Sequence, residues 1–337
     1  MFNQIHMKMK IKTKTKVWMM AIAALSFAVV SCDTEEDPPE INEAEVLIEY
    51  MEDPGSPAGN YGNSGLAIKA PSATHTGVVA GVVLPIDIRS ADDFADGHIQ
   101  GAVNLSSGAV RDYLDTEDLS AYDEIHIVCY TGQTASWLTS LLQLAGYKDV
   151  YSMKWGMSGW HSDFDKWTSN TNSDKATLFT ADVTDKGAEG DLPTLTTGFE
   201  DGADIFEARF DVVLAEGFGE AAVSQGDVYA NLDDYYIINY WPNAEYLDPG
   251  HIEGAMQYTP DEDLQLDTYL KTLPTDKAIA VYCYTGQNSA RIAAYLRLMG
   301  YNAKSLKFGA NSMIWSEMTK STWTPETPMD YDYVGMK

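Results

Sequence analysis

Cysteine is scarce in this chain: three residues in 337, at positions 32, 129 and 283. That excludes a small disulfide-stapled scaffold, which pairs many cysteines, and it excludes the C-x2-C clusters of structural metal sites, so no metal is expected. Cations are scarce too, with 22 Lys+Arg against 50 Asp+Glu and a formal net charge of −28. So acidic a surface repels phosphate backbones and anionic headgroups, and no nucleic-acid partner is expected. Long apolar runs are almost lacking. Val17 to Val30 is an apolar stretch of about fourteen residues, short of the roughly 20 that a membrane-spanning helix needs. What is present is ordinary for a globular protein, 45% hydrophobic and 21% charged, in a chain long enough for two domains.

Five of the lysines, Lys8, Lys10, Lys12, Lys14 and Lys16, precede that apolar stretch. Basic flank and short apolar core together read as a signal peptide over residues 1–31. The stretch "AVVSC" resembles the lipobox of bacterial lipoproteins, in which the cysteine is lipidated and becomes the new N-terminus. The resemblance implies that Cys32 is a lipid anchor and the protein extracytoplasmic, periplasmic or on the cell surface, with the lipid as its sole membrane contact. Val29 stands where leucine is usual, and plain signal-peptidase cleavage is the alternative. Residues 32–43, with "DTEEDPPE" after the cysteine, read as an acidic, solvated tether.

The other two cysteines head the same five residues, "CYTGQ", at 129–133 and 283–287. The match extends outward. "LPIDIRSADDFADGHIQGAVNL" parallels "YIINYWPNAEYLDPGHIEGAMQY", and "EIHIVCYTGQTASWLTSLLQLAGY" parallels "AIAVYCYTGQNSARIAAYLRLMGY", at offsets that drift from 152 to 154 residues. A repeat this long is a duplicated domain rather than a solenoid. In each copy continuous apolar runs such as "YYIIN" fit strands buried on both faces, while Ile292, Tyr295, Leu296 and Met299 fall at helical spacing before Gly300. Alternation of strand and helix implies a parallel sheet with helices on both faces. The expected domains are 44–168 and 194–325, joined by a polar linker at 169–193 and followed by a tail at 326–337.

Each cysteine ends an apolar strand and a helix begins shortly after it, which puts the thiol at the carboxyl edge of the sheet, where open α/β folds bind ligands. Backbone N–H groups of the turn and the positive end of the next helix favour an anionic sulfur there. Taken with the D-x-R segment (Asp87–Arg89), "GHI-x-GA" and "GMSGW", the arrangement resembles the rhodanese (thiosulfate sulfurtransferase) family. The resemblance covers nearly all of the mature chain, and implies an α/β fold of two tandem rhodanese-like domains.

By analogy with that family, Cys129 and Cys283 are nucleophiles that take a sulfane sulfur from a donor such as thiosulfate, a persulfide or a polysulfide. The persulfide then passes its sulfur to cyanide or to an acceptor thiol, on a small molecule or a protein. No cofactor is implied. The expected binding loops are Tyr130, Thr131, Gly132, Gln133, Thr134 and Ala135 in the first copy and Tyr284, Thr285, Gly286, Gln287, Asn288 and Ser289 in the second, flanked by Arg89 and Arg291.

The alternative is a non-catalytic, membrane-anchored binding or thiol-carrier module on the same fold. A phosphatase needs arginine as the sixth residue after the cysteine; here Ala135 and Ser289 occupy that place. Both loops lack the cations common in thiosulfate-preferring members. His98 and His251 are read as backbone-fixing rather than as general bases. The second copy also replaces Asp87 and Arg89 by Asn239 and Trp241, while Trp137 and Arg291 stand at matched positions eight residues after the cysteines. That exchange predicts an arginine–indole contact, Arg89–Trp137 and Arg291–Trp241, in each domain, with coincidence as the alternative.

Overall fold

The computed structural model describes residues 41–59 and 67–336; the expected signal peptide, Cys32 and most of the acidic tether lie outside the described residues. Among the described residues no helix is long and apolar enough to cross a membrane.

Two five-stranded, all-parallel sheets carry the duplication. The first contains β1 (Ile68–Lys69), β2 (Val83–Asp87), β3 (Val103–Asn104), β4 (Glu124–Val128) and β5 (Val150–Met153), in the order β1-β5-β4-β2-β3. After β6 (Phe179–Thr180), the second is built from β7 (Ala222–Val223), β8 (Tyr235–Asn239), β10 (Met256–Gln257), β11 (Ala278–Tyr282) and β12 (Ala303–Leu306), in the order β10-β8-β11-β12-β7, with β9 (His251–Ile252) between β8 and β10 in the chain. Matched strands occupy matched places: Asp87 lies beside Val128 in one sheet, and Asn239 beside Tyr282 in the other. The inner strands read as apolar runs because both of their faces are covered, and all five residues of β2 are buried.

The helix after each cysteine, Gln133–Leu144 and Gln287–Leu298, is buried on nearly every side. Each covers its own sheet on one side and the other helix on the opposite side; Ser140 Oγ donates to the Arg291 carbonyl oxygen across that contact (3.0 Å). That is why neither helix has the polar face of a surface helix. Leu138, Leu141 and Leu142, fully buried here, belong to one apolar core that runs on through Leu296, Phe206 and Phe210 of the second repeat, each such side chain contributing about 1.5–3 kcal/mol. A second helix pair, Glu43–Glu52 and Gly202–Glu220, packs beside it, with Tyr50 and Phe206 rings 5.9 Å apart. Both post-cysteine helices end before a glycine in the left-handed region, Gly146 (φ 100°) and Gly300 (φ 98°), where a side chain would be strained.

The segments that follow each repeat cross to the other one. Residues 172–184, within the expected linker, bond to Asn311, Met313 and Trp315, and pair Thr180 with His251 and Thr184 with Met256. The tail answers in kind: Met329 and Tyr331 N–H groups donate to Gly159 and Trp160, and Val334 pairs with His98. Where the arms cross, Trp155, Trp167 and Trp323 pack ring against ring with Phe308 beside them. Replacing the 2%-exposed Trp323 with alanine is expected to cost about 3–5 kcal/mol. Because the repeats share a core, urea should unfold the chain in a single transition whether followed by tryptophan fluorescence or far-UV circular dichroism; two separated transitions would contradict a shared core.

Candidate functional site

Both cysteines sit one residue beyond the end of a central strand, Cys129 after β4 and Cys283 after β11. The chain then turns through a left-handed glycine, Gly132 (φ 80°) or Gly286 (φ 75°), directly into a helix. A side chain at either glycine would collide with the other repeat: a Cβ on Gly132 would lie 1.9 Å from Gln287 Nε2, and one on Gly286 would lie 2.6 Å from Gln133 Oε1. Glycine therefore serves both the turn and the close approach of the two loops.

Around Cys129 the N–H groups of Gly132 and Ala135 donate to the sulfur at 3.1 and 3.4 Å. Around Cys283 the Ser289 N–H donates at 3.4 Å, with the Ser289 hydroxyl 3.6 Å from the sulfur and tied to Ser305 at 2.8 Å. Ala135 offers no such hydroxyl in the first loop. Burial pushes the Cys129 thiol pKa up; the N–H groups of Ala135, Thr131 and Gly132 oppose that, and the Asp87 carboxylate adds to it. Both thiols are almost covered, 6% and 2% exposed.

The remaining loop residues divide by role. Tyr130 donates to Asp93 (2.6 Å), and burial followed by that carboxylate raises its pKa to about 12. Its ring has the Arg89 guanidinium at 4.9 Å and Lys166 at 5.2 Å. Tyr284 instead stacks on Trp241 at 4.8 Å, with Lys320 at 5.1 Å paired to Glu245. Thr131 accepts from Gln133 Nε2, and Thr285 Oγ1 from the Gln287 N–H. Thr134 and Asn288 are half-buried. Gln133 Oε1 reaches across to accept from the Phe308 N–H (2.8 Å), whereas both amide atoms of the buried Gln287 find no partner among the described residues.

Arg89 is placed beneath its loop, its Nε and Nη2 groups donating to the Asp87 carboxylate and Nη2 also to the Gly97 carbonyl. Arg291 lies in the buried helix contact, within electrostatic reach of Asp261. The expected exchange of arginine and indole is not found. Arg89 faces Tyr130 and Phe164, and Trp137 packs near Phe218 at 6.4 Å. The reason is geometric: the eighth residue after the cysteine faces the other repeat, while the D-x-R position faces its own loop tyrosine. Asn239 has a different compensation. Its amide donates to the Tyr282 hydroxyl (2.8 Å), which also accepts from the Ile252 N–H, and tyrosine stands where the first sheet has Val128. His98 and His251 bond through Nδ1 to the carbonyls of Phe94 and Tyr246 and stack on those same rings.

Two features were not singled out from the sequence. One is the reach of Gln133 across to the Phe308 N–H of the second repeat. The other is Lys154, whose ammonium lies 4.9 Å over the Trp155 ring and within electrostatic reach of Cys283. The only signal was the recurrence of lysine in "SMKWG" and "SLKFG", which says nothing about which loop it serves. No group of three His, Cys, Asp or Glu side chains among the described residues could hold a metal.

A parallel α/β sheet with a cysteine loop at its carboxyl edge, twice over, defines a class of thiol-centred domain. The rhodanese-like domain family model matches residues 75–163 and 224–313, and the chain belongs to that family as a tandem pair. It is similar to a thiosulfate sulfurtransferase of Pseudomonas putida, 34% identical over 89 residues, 26% of this chain and 79% of that protein. A thiosulfate sulfurtransferase of Shewanella oneidensis is 34% identical over 76 residues, 23% of this chain and 73% of that one. Among solved structures, a 3-mercaptopyruvate sulfotransferase of Escherichia coli is 18% identical, covering 77% of this chain and 99% of its own, with a TM-score of 0.27.

With its thiol pKa raised, Cys129 holds less thiolate at neutral pH than a free cysteine. Its alkylation by iodoacetamide, followed by peptide mapping, should be slower than that of a model thiol at pH 7.5 and should still be rising with pH above 9; a rate that levels off near neutrality would contradict the assignment.

Proposed function

We propose that the chain is a sulfurtransferase working through a cysteine persulfide, with Cys283 as the principal nucleophile and Cys129 as a slower one. The observation that carries this reading is the Cys283 surround: a sulfur at the mouth of a twelve-residue helix, receiving the Ser289 N–H and donating its own proton to the Ser289 hydroxyl oxygen. In the first half-reaction the thiolate attacks the outer sulfur of the donor. The S–S bond of the donor breaks, and its electron pair leaves with sulfite or with a thiolate. The new Cys–S–S⁻ carries its negative charge on the terminal sulfur, where the N–H groups of the loop and the helix end stabilise it. In the second, an acceptor thiolate or cyanide attacks that terminal sulfur and Cys283 departs as thiolate. The loops Tyr130–Ala135 and Tyr284–Ser289 bind the substrate; Arg89 supports the first from below, and Arg291 anchors the helix behind the second.

Neutral loops suit a persulfide or polysulfide donor at least as well as thiosulfate. The raised pKa of Cys129, to which the Asp87 carboxylate contributes, favours for the first repeat the second reading: a sulfur carrier or binding module with little turnover. The assignment is tested by sulfur transfer to cyanide from a panel of donors. Cys283→Ser should remove most of the activity and Cys129→Ser a minor share, whereas full activity in Cys283→Ser would overturn it.

The chain is further proposed to reach an extracytoplasmic membrane face through a lipid on Cys32. Cys32→Ala should then leave the protein unlipidated, and a wild-type mature N-terminus lying elsewhere and unmodified would refute the anchor.

A further inference from the structure

The Cys283 loop carries no cation of its own, yet the donors proposed for it are anions. Arg291 is buried 3% exposed in the helix contact, and Lys320 is neutralised by Glu245. The first repeat, however, brings a lysine to the border of this site: a Cβ on Gly132 would lie 1.9 Å from Gln287 Nε2 of the Cys283 loop and 2.9 Å from the carbonyl oxygen of Met153, the residue before Lys154. Lys154 follows β5, its N–H held by the Lys69 carbonyl (2.8 Å), and Trp155 then turns the chain at φ 65°. The Trp155 ring packs against Trp167 at 4.7 Å, and Trp167 against Phe308 at 5.0 Å. Phe308 leads into Gly309 and Ala310, which wrap Cys283: the Ala310 N–H donates to the Cys283 carbonyl at 2.9 Å, and a Cβ on Gly309 would lie 2.2 Å from that same oxygen. Gln133, at the start of the first repeat's post-cysteine helix, accepts from the Phe308 N–H of the same wrapping segment.

We propose that Lys154 of the first repeat is the substrate-binding cation of the Cys283 site, holding the anionic group of the sulfur donor, so that the second site is complete only with the first repeat in place. This rests on the sulfurtransferase reading for the identity of the donor but not for the presence of the anion site. Lys154 forms no ion pair with any carboxylate among the described residues; its ammonium rests over the Trp155 ring at 4.9 Å. Burial lowers its pKa, and the electrostatic influence of Cys283 opposes that. The relation is not reciprocal. Lys307, its counterpart in the second repeat, lines a groove with Ser169, Asn172, Ser224 and Gln225, and the charge bearing on Cys129 is that of Asp87. One site has a cation lent by its partner repeat; the other has a carboxylate.

The test compares alkylation of Cys283 by iodoacetate, an anion, and by iodoacetamide, its neutral analogue, in the full chain and with peptide mapping to separate the two cysteines. Lys154→Met should lower the iodoacetate-to-iodoacetamide rate ratio at Cys283 by about tenfold, the scale of one partly shielded charge pair. Lys154→Arg should keep most of the wild-type ratio, and Lys307→Met, at the matched position, should leave it unchanged. An unaltered ratio in a folded Lys154→Met protein would overturn the proposal, as would an equal loss in Lys307→Met. If Lys154→Met does not fold, Lys154→Gln and the salt dependence of the wild-type ratio decide: the ratio should fall as salt rises, and a flat response counts against the site. Thiosulfate loading of the same proteins separates the two ideas. Wild-type chain that takes up no sulfur but prefers iodoacetate at Cys283 retains the anion site and loses the sulfurtransferase reading; the opposite pattern does the reverse.

Discussion

The side-by-side packing of the helices Gln133–Leu144 and Gln287–Leu298 governs most of what is distinctive in this molecule. Each helix starts in a cysteine loop, so burying one against the other brings the two loops within reach of one another, with Gln133 bonded to Phe308 and Gln287 pressed against Gly132. The contact is self-complementary in the way of a twofold dimer, although both halves lie in one chain. Exchange of the two arms follows the same relation, and the four rings at their crossing lock it. A thiol at the mouth of either helix therefore feels its own repeat and the other one.

Small differences between the repeats then become differences in chemistry. Asp87 with Arg89 makes a buried ion pair under the first loop, and breaking such a pair strands a charge. The second repeat avoids charge at that place altogether, using Asn239 bonded to Tyr282 and Trp241 stacked on Tyr284. The negative group near Cys129 disfavours its thiolate; the second repeat has the neutral Asn239 in the place of Asp87, and a serine hydroxyl 3.6 Å from its sulfur where the first has Ala135. Duplication has supplied two scaffolds, and the substitutions beneath the loops distinguish them.

Much of this was legible in the sequence, for identifiable reasons. "YYIIN" reads as a strand buried on both faces and forms β8; the periodic residues before Gly300 form a helix that stops where expected. The cysteine turn was readable because strand, glycine and helix follow within a few residues, all local. What the sequence did not disclose was relative placement. Arg291 and Trp137 matched by offset, yet their helix face turns toward the other repeat and away from Trp241 and Arg89. The segment 169–193 has linker composition, but it supplies a strand to the second repeat because its backbone finds partners at His251 and Met256. Lys154 recurs as Lys307, and only packing across the interface gives the two different neighbours.

The most direct measurement is the order in which the two cysteines of one wild-type molecule acquire sulfur. Brief exposure to thiosulfate or to an inorganic polysulfide, followed by quenching and mass mapping of the two loop peptides, reports both sites at once. The account predicts one added sulfur on the Cys283 peptide while the Cys129 peptide still lags. Sulfur on neither peptide with every donor, or on Cys129 first, would contradict it.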